Sequence, residues 1–377
     1  MRVLLLAPYP PDHAPSQRFR FEQYLEDWRR HGVACEVSPL LDADAYRTLY
    51  QSGRHARKAA ALLRALGIRL QDARRARRYD AVFIHREAFF LGPPAIEWLI
   101  RRAGVPIIFD FDDAIYLPNV SAANRAVGRW KWPEKFARIL SWSRVVIAGN
   151  EGLAQYARQY AAEVCVIPTT IDTAWYRPQA PRPAGAPVRL GWSGSMTTID
   201  HVRLLEPVFR TLCARYPLQL RVIGDAAFQL SGLPVEALPW RRQTELEDLG
   251  GVDIGVMPLP DEDWARGKCG LKALQYMALG IPAVCSPVGV NTAIIEDGVN
   301  GLLADSPEAW VAKLSRLIED AALRQRLGQA GRSTVEMQYS VRVNAPRYLK
   351  VFERVSGARL APASPRPVEG MSHATVH

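Results

Sequence analysis

The sequence predicts an α/β protein built as two αβα domains, with parallel sheets facing each other across a cleft. Short apolar runs alternate with amphipathic helical segments along the whole chain, the rhythm of a parallel sheet covered by helices. The runs are apolar almost without interruption, as strands buried on both faces are. The rhythm breaks once, at the Pro/Ala-rich "PQAPRPAGAP" of 178–187, and then restarts.

Taken in order, the first-half strands are "RVLLLA", "YDAVFIH", "VPIIFDF", "RVVIAGN" and "AEVCVIP". Between them lie helical segments such as "RFEQYLEDWRRHG", closed by Gly32, and "PPAIEWLIRRAG", closed by Gly104. After the break come "VRLGWSGS", "LQLRVIGD", "VDIGVMPLP", "IPAVCSP" and "NGLLAD". The predicted domains are 1–180 and 187–340. A helix over 341–357 is expected to pack back on the N-terminal domain, and the Pro/Ser-rich tail 358–377 to be disordered.

At 377 residues, 48% hydrophobic and 23% charged, the chain is long enough for two ordinary cores. No apolar run approaches the ~18 residues of a membrane span. "MRVLLLAPYPP" is too short for a signal-peptide core and reads as a buried first strand. The five cysteines are scattered and lack metal-ligand spacing, so reduced thiols in a cytoplasmic protein are expected. The net charge of +10 favours acidic partners. Nine Lys and Arg residues crowd between Arg54 and Arg78, interleaved with Ala and Leu. They read either as a basic amphipathic surface for an anionic membrane or as a solvated helical face. No nucleic-acid-binding motif accompanies the charge, so nucleic acid is not expected as a partner.

The chemistry-bearing motifs all fall where loops leave strand ends, the place ligands occupy in open parallel sheets. "GKCGLKALQYMALGIPAV" spans residues 267–284. It predicts a helix over 271–279, stopped by Gly280 and Pro282. Gly270 permits close approach at its start, where free N–H groups favour an anion, and Lys268 and Lys272 flank that point. "GWSGSMTT" adds Gly194 and the hydroxyls of Ser195, Thr197 and Thr198, while "VIGD" adds Asp225 as a polar contact. Three loops in this order predict a diphosphate site.

In the first half, Asp110, Asp112 and Asp113 cluster in "DFDDA", placed to orient an acceptor hydroxyl or take its proton. Capping and pairing with a neighbouring Arg is the alternative. Ser16, Arg18 and Arg20 of "APSQRFR" are expected to grip an acceptor phosphate, or else to be ordinary helix residues. His85, Arg86 and Glu87 belong on the rim, with His85 read as structural. Trp130, Trp132 and Trp142 are assigned to core or acceptor groove, and Cys269 to a small filler. No metal site is expected.

The stretch "KCGLKALQYMALGIPAVCSPVGVNTAIIEDGVNGLLA" closely resembles the nucleotide-sugar-binding segment of family 4 glycosyltransferases, the retaining GT-B enzymes. "VIPTTIDTAWYRP", "GWSGS" and "PIIFDFDDA" are similar to further segments of that family, so the likeness runs from residue 1 to about 355. It implies two Rossmann-like domains, an N-terminal one for the acceptor and a C-terminal one for the donor. It also implies metal-independent transfer of a sugar from a nucleoside diphosphate. By the resemblance, the amides of Gly270 and Leu271 hold the diphosphate, Lys268 and Lys272 neutralise it, and Trp240 lies near the base. The sequence departs from the family at two positions usually occupied by glutamate, here Gly267 and Gln275. Gln275 can still bond ribose hydroxyls; Gly267 cannot replace a donor-sugar contact. The family's basic pair after the first C-terminal strand is missing, and its usual histidine aligns with Asp112.

The resulting expectation is a glycosyltransferase acting on a glycan or lipid-linked acceptor in bacterial surface polysaccharide synthesis, at the inner face of the membrane. Two rivals share the architecture: a nucleotide-sugar epimerase, and a catalytically silent partner that binds a nucleotide sugar or glycan.

Overall fold

The computed structural model describes residues 1–49, 53–117, 132–180, 182–183, 185–195 and 198–364. Trp130, Thr197 and the tail beyond 364 lie outside them. The first sheet contains β1 (Arg2–Ala7), β2 (Ala34–Pro39), β3 (Ala81–His85), β4 (Ile107–Phe111), β5 (Val145–Ala148) and β6 (Val164–Val166). The second contains β7 (Val188–Ser193), β8 (Leu218–Gly224), β9 (Val235–Pro239), β10 (Ile254–Met257), β11 (Ala283–Cys285) and β12 (Leu302–Leu303). Their orders are β2-β1-β3-β4-β5-β6 and β12-β11-β10-β7-β8-β9. Every strand pairing is parallel.

The central strands are sealed on both faces, and all five residues of β3 and of β4 are buried. Each strand order reverses beside its first strand, between β1 and β3 and between β7 and β10. Crevices open at such switch points, beyond the carboxyl ends of the strands. The loops after β1, β3 and β4 therefore come forward from one domain, and those after β7 and β10 from the other.

The C-terminal helix, Val341–Ser356, returns to the N-terminal domain. Its Ala345, Tyr348, Val351 and Phe352 are buried in one cluster with Trp28 and Phe83. The Ser364 amide donates to the Arg30 carbonyl at 2.9 Å, so 358–364 runs back along the N-terminal domain. Among the described residues no helix is long and apolar enough to cross a membrane.

Candidate functional site

On the C-terminal face, the helix Leu271–Ala278 begins at Gly270, whose φ is 70°. A Cβ there would meet Ile294 Cδ1 at 2.3 Å, so both conformation and space require glycine. The amides of Leu271, Lys272 and Ala273 find no backbone or capping acceptor among the described residues. They remain open to an anion, in the positive field of the helix start. The Lys272 stem passes so close to Gly194 that a Cβ at 194 would lie 2.9 Å from Lys272 Cε. Its ammonium sits 5.2 Å from the centre of the Trp192 ring, and Lys268 lies 5.7 Å from the Trp264 ring. Neither lysine has an ion-pair or hydrogen-bond partner among the described residues. Burial, and then the charge of Lys268, lower the Lys272 ammonium to about 7.

A third group joins them from the short helix Asp200–Arg203. His201 Nδ1 is buried without a hydrogen-bond partner. Burial, then Lys268 and Lys272, lower its imidazole to about 4. Three nitrogen-bearing side chains without ion-pair partners among the described residues stand near a helix start with free amides. Such a cluster is stabilised by an incoming anion.

The N-terminal face is connected quite differently. Asp110 accepts hydrogen bonds from Arg20 Nε at 3.2 and 3.3 Å, and also from Arg20 Nη2. His85 Nδ1 lies 2.7 Å from its second oxygen, and all three residues are fully buried. His85 Nε2 reaches Ser16 Oγ at 2.8 Å, and that hydroxyl donates to Asp112 Oδ1 at 2.9 Å. Arg86 Nε donates to the same Asp112 oxygen at 2.8 Å. Arg86 has a φ of 62°, a backbone conformation rare outside glycine and concentrated at functional sites.

The adjacent carboxyls Asp112 and Asp113 are driven apart. Burial would raise Asp112, but Arg86 and then His85 outweigh it and hold this carboxyl well below its usual range. Asp113 is raised, chiefly by burial, with Asp112 adding and Lys268 and Arg86 opposing. Its Oδ1 is buried without a partner, and Arg86 Nη2 stands 3.6 Å from Oδ2. Neighbouring carboxyls with opposed shifts mark a division of labour, one held ionised and one able to exchange a proton.

The structure moves several sequence-assigned residues out of direct ligand contact. Arg20 and Asp110 form a sealed pair, so neither reaches an acceptor. Arg18 crosses to the other domain, donating to Glu245 at 2.5 Å with both side chains almost fully buried. Gln275 donates to Tyr176 Oη at 3.0 Å and Glu245 Oε1 at 3.1 Å, so both amide hydrogens are already engaged. Trp240 Nε1 donates to Glu245 at 3.1 Å, and the Arg18 guanidinium lies 5.6 Å from its ring centre. The Gly194 amide donates to the Ile223 carbonyl, which removes it from the anion site. Asp225 accepts from the Ala227 amide at 2.9 Å and closes its own turn. Ser195 likewise forms a turn with Thr198 leading into the His201 helix. Lys268, Gly270, Leu271 and Lys272 remain at one point, within electrostatic reach of Asp113.

Close packing also explains the absent side chain at 267. A Cβ on Gly267 would lie 2.6 Å from Ala114 Cβ across the domain boundary. Asn150 Nδ2 donates to the Gly267 carbonyl at 3.1 Å, and Cys269 Sγ to the Asp112 carbonyl at 3.2 Å. Burial pushes that thiol up to about 12, consistent with a filler. Sequence reasoning missed His201 and Glu245. His201 lies six positions beyond "GWSGS", where the family's usual basic pair would be Lys or Arg. Nothing in "TELEDLG" marks Glu245.

Two parallel-sheet domains meeting at their switch points around a free helix start and unpaired cations form a cleft of the GT-B type. Residues 187–320 match the family described as "Glycosyl transferases group 1". D-inositol 3-phosphate glycosyltransferase of Segniliparus rotundus is 25% identical over 63% of this chain and 58% of its own length. The corresponding protein of a Nocardioides species is 26% identical over 76% of this chain and 70% of its own length. Sucrose-phosphate synthase of Thermosynechococcus elongatus superposes with a TM-score of 0.67 at 15% identity, covering 94% of this chain and 99% of that one. HepE of Anabaena, solved with UDP-glucose, gives 0.64 at 15% identity and the same coverages. The chain has the GT-B fold, and its residues 187–320 are similar to group 1 glycosyl transferases.

Proposed function

We propose that this protein transfers a sugar from a nucleoside diphosphate to a hydroxyl of a glycan or lipid-linked acceptor, with retention of configuration. The observation that carries the reading is the anion site at the start of the 271–278 helix, with Lys268, Lys272 and His201 around it and Asp113 opposite. There the diphosphate develops negative charge as the sugar leaves, and fixed cations and amides aimed at that point stabilise the transition state. HepE was solved with UDP-glucose, which suits the same class of donor. Lys268 and Lys272 supply the neutralising charge, so the reading expects no metal. The carboxylates opposite are already met by guanidinium groups.

Asp113 is the carboxyl that orients the acceptor hydroxyl, while Asp112, pinned by Arg86 and Ser16, sets its position. The acceptor enters from the N-terminal face. The reading extends to a cytoplasmic enzyme of surface polysaccharide synthesis, held peripherally at an anionic membrane by residues 54–78. Arg57, Arg74, Arg77 and Arg78 are exposed there, and Leu63 is 71% exposed. Arg69 and Arg75 take no part, because Arg69 is buried against Asp72 and Arg75 pairs with Asp72 and Glu36.

The test is product analysis. Purified protein is incubated with UDP-glucose, UDP-N-acetylglucosamine, GDP-mannose or dTDP-rhamnose and a panel of alkyl glycosides, with and without EDTA. One donor should give a product whose anomeric NMR signal keeps the donor's configuration, with no loss in EDTA. An inverted product would overturn retention. Donor binding without any transfer would favour the silent-partner reading, and a C2-epimeric sugar formed without acceptor would favour an epimerase.

A further inference from the structure

A second concave surface lies outside the residues assigned above. Tyr116, Pro133, Glu134, Tyr156 and Tyr160 line an open groove of about 370 Å³ on the N-terminal domain. Tyr116 and Tyr156 stack with ring centres 3.6 Å apart and planes 11° from parallel, and Tyr160 stands 5.3 Å from Tyr156. Trp132, 46% exposed, flanks the groove and donates from Nε1 to Glu134 at 3.0 Å. From this arrangement we infer that the groove binds a neutral sugar of an oligosaccharide acceptor, beyond the unit that receives the transferred sugar.

Its position relates it to the cleft. The backbone turns tightly after Asp113, with Ile115 N donating to the Asp113 carbonyl and Leu117 N to the Ala114 carbonyl. Tyr116 is thus within about 11 Å of Asp113 along the chain, the reach of one or two further sugars. Ala114 is the residue that meets Gly267 of the other domain, and the charge of Asp263 acts on the Tyr116 phenol. The groove therefore starts where the two domains meet.

Its chemistry selects the occupant. Sugar rings offer C–H faces that pack on aromatic rings, and hydroxyls that bond to phenols and carboxylates. Burial raises the Tyr156 phenol to about 12, so it stays a neutral donor. Among the described residues no Lys or Arg lines the groove, and the Lys135 ammonium turns away to Glu87 at 2.6 Å and the Phe89 carbonyl at 2.7 Å. Glu134 in the lining disfavours a phosphate.

The inference rests on the glycosyltransferase reading, and its test keeps the two separate. Saturation-transfer NMR of the full chain with maltotriose, mannotriose and chitotriose, without nucleotide, should show transfer from protein to at least one trisaccharide. In a Trp132→Ala/Tyr160→Ala double variant, two exposed positions, that transfer should fall at least fivefold while nucleotide binding by calorimetry is unchanged. Transfer from none of the trisaccharides would overturn the inference, as would equal transfer in the variant. Preference for glucose 6-phosphate over maltotriose would overturn the neutral assignment. Failure of nucleotide binding alone would instead count against the donor site.

Discussion

The two faces of the cleft carry charge in opposite ways. On the N-terminal side, Asp110, Arg20, His85, Ser16, Asp112 and Arg86 form a continuous chain in which nearly every polar atom has a partner. On the C-terminal side, Lys268, Lys272 and His201 Nδ1 have none among the described residues, and the adjoining helix start is uncapped. A satisfied buried network is rigid and fixes geometry. A buried lysine without a counter-charge, as Lys272 is, is destabilised when charged and relieved when an anion binds. In the proposed reading the C-terminal side thus awaits its ligand, and the N-terminal side is already organised. Asp113 is the exception on its side, among the described residues the one carboxyl with an orphan buried oxygen, and its charge is coupled to both lysines.

This comparison can be broken from either side. The largest effect is expected in the satisfied network. Asp110→Asn leaves Arg20 charged, fully buried and poorly paired, so stability in urea denaturation should fall by about 3–5 kcal/mol. A loss below about 1 kcal/mol would mean the network does not hold the face together. On the other side, Lys272→Met removes a charge that has no protein partner. Stability should be unchanged or slightly improved, while calorimetric affinity for the nucleotide donor falls at least about tenfold, about 1.4 kcal/mol. Equal affinity would move the diphosphate elsewhere.

Much of the fold was legible in the residues. Ten of the twelve strands announce themselves as apolar runs because their faces are covered. The two that escape, Ala34–Pro39 and Val235–Pro239, are edge strands whose residues are mostly half-exposed, so Glu36 and Glu236 interrupt them. At the site, Lys268, Gly270 and Lys272 could be read because local sequence alone makes a helix start. The Arg18–Glu245–Gln275–Tyr176 bundle could not. Its members are up to 257 positions apart along the chain and meet only when the domains close on one another. Arg20 and Asp110 looked like ligand contacts for a similar reason: their mutual pairing spans 90 positions.

The most direct measurement is donor affinity as a function of pH, by calorimetry with the nucleotide sugar identified in the product assay. The Lys272 ammonium, held near 7 in the free protein, must be protonated to face the diphosphate. The phosphates of a nucleotide sugar do not titrate in this range. Affinity should therefore be greatest below pH 7 and decline above it, with a proton taken up on binding. Folding stability has the opposite sign at this residue. A lowered lysine leaves the unfolded chain with more bound protons between about pH 7 and 10.5, so its penalty is full below 7 and is relieved as pH rises. Loss of the pH dependence in Lys272→Met would confirm the assignment. An affinity that does not change between pH 6 and 9 in the native chain would contradict it.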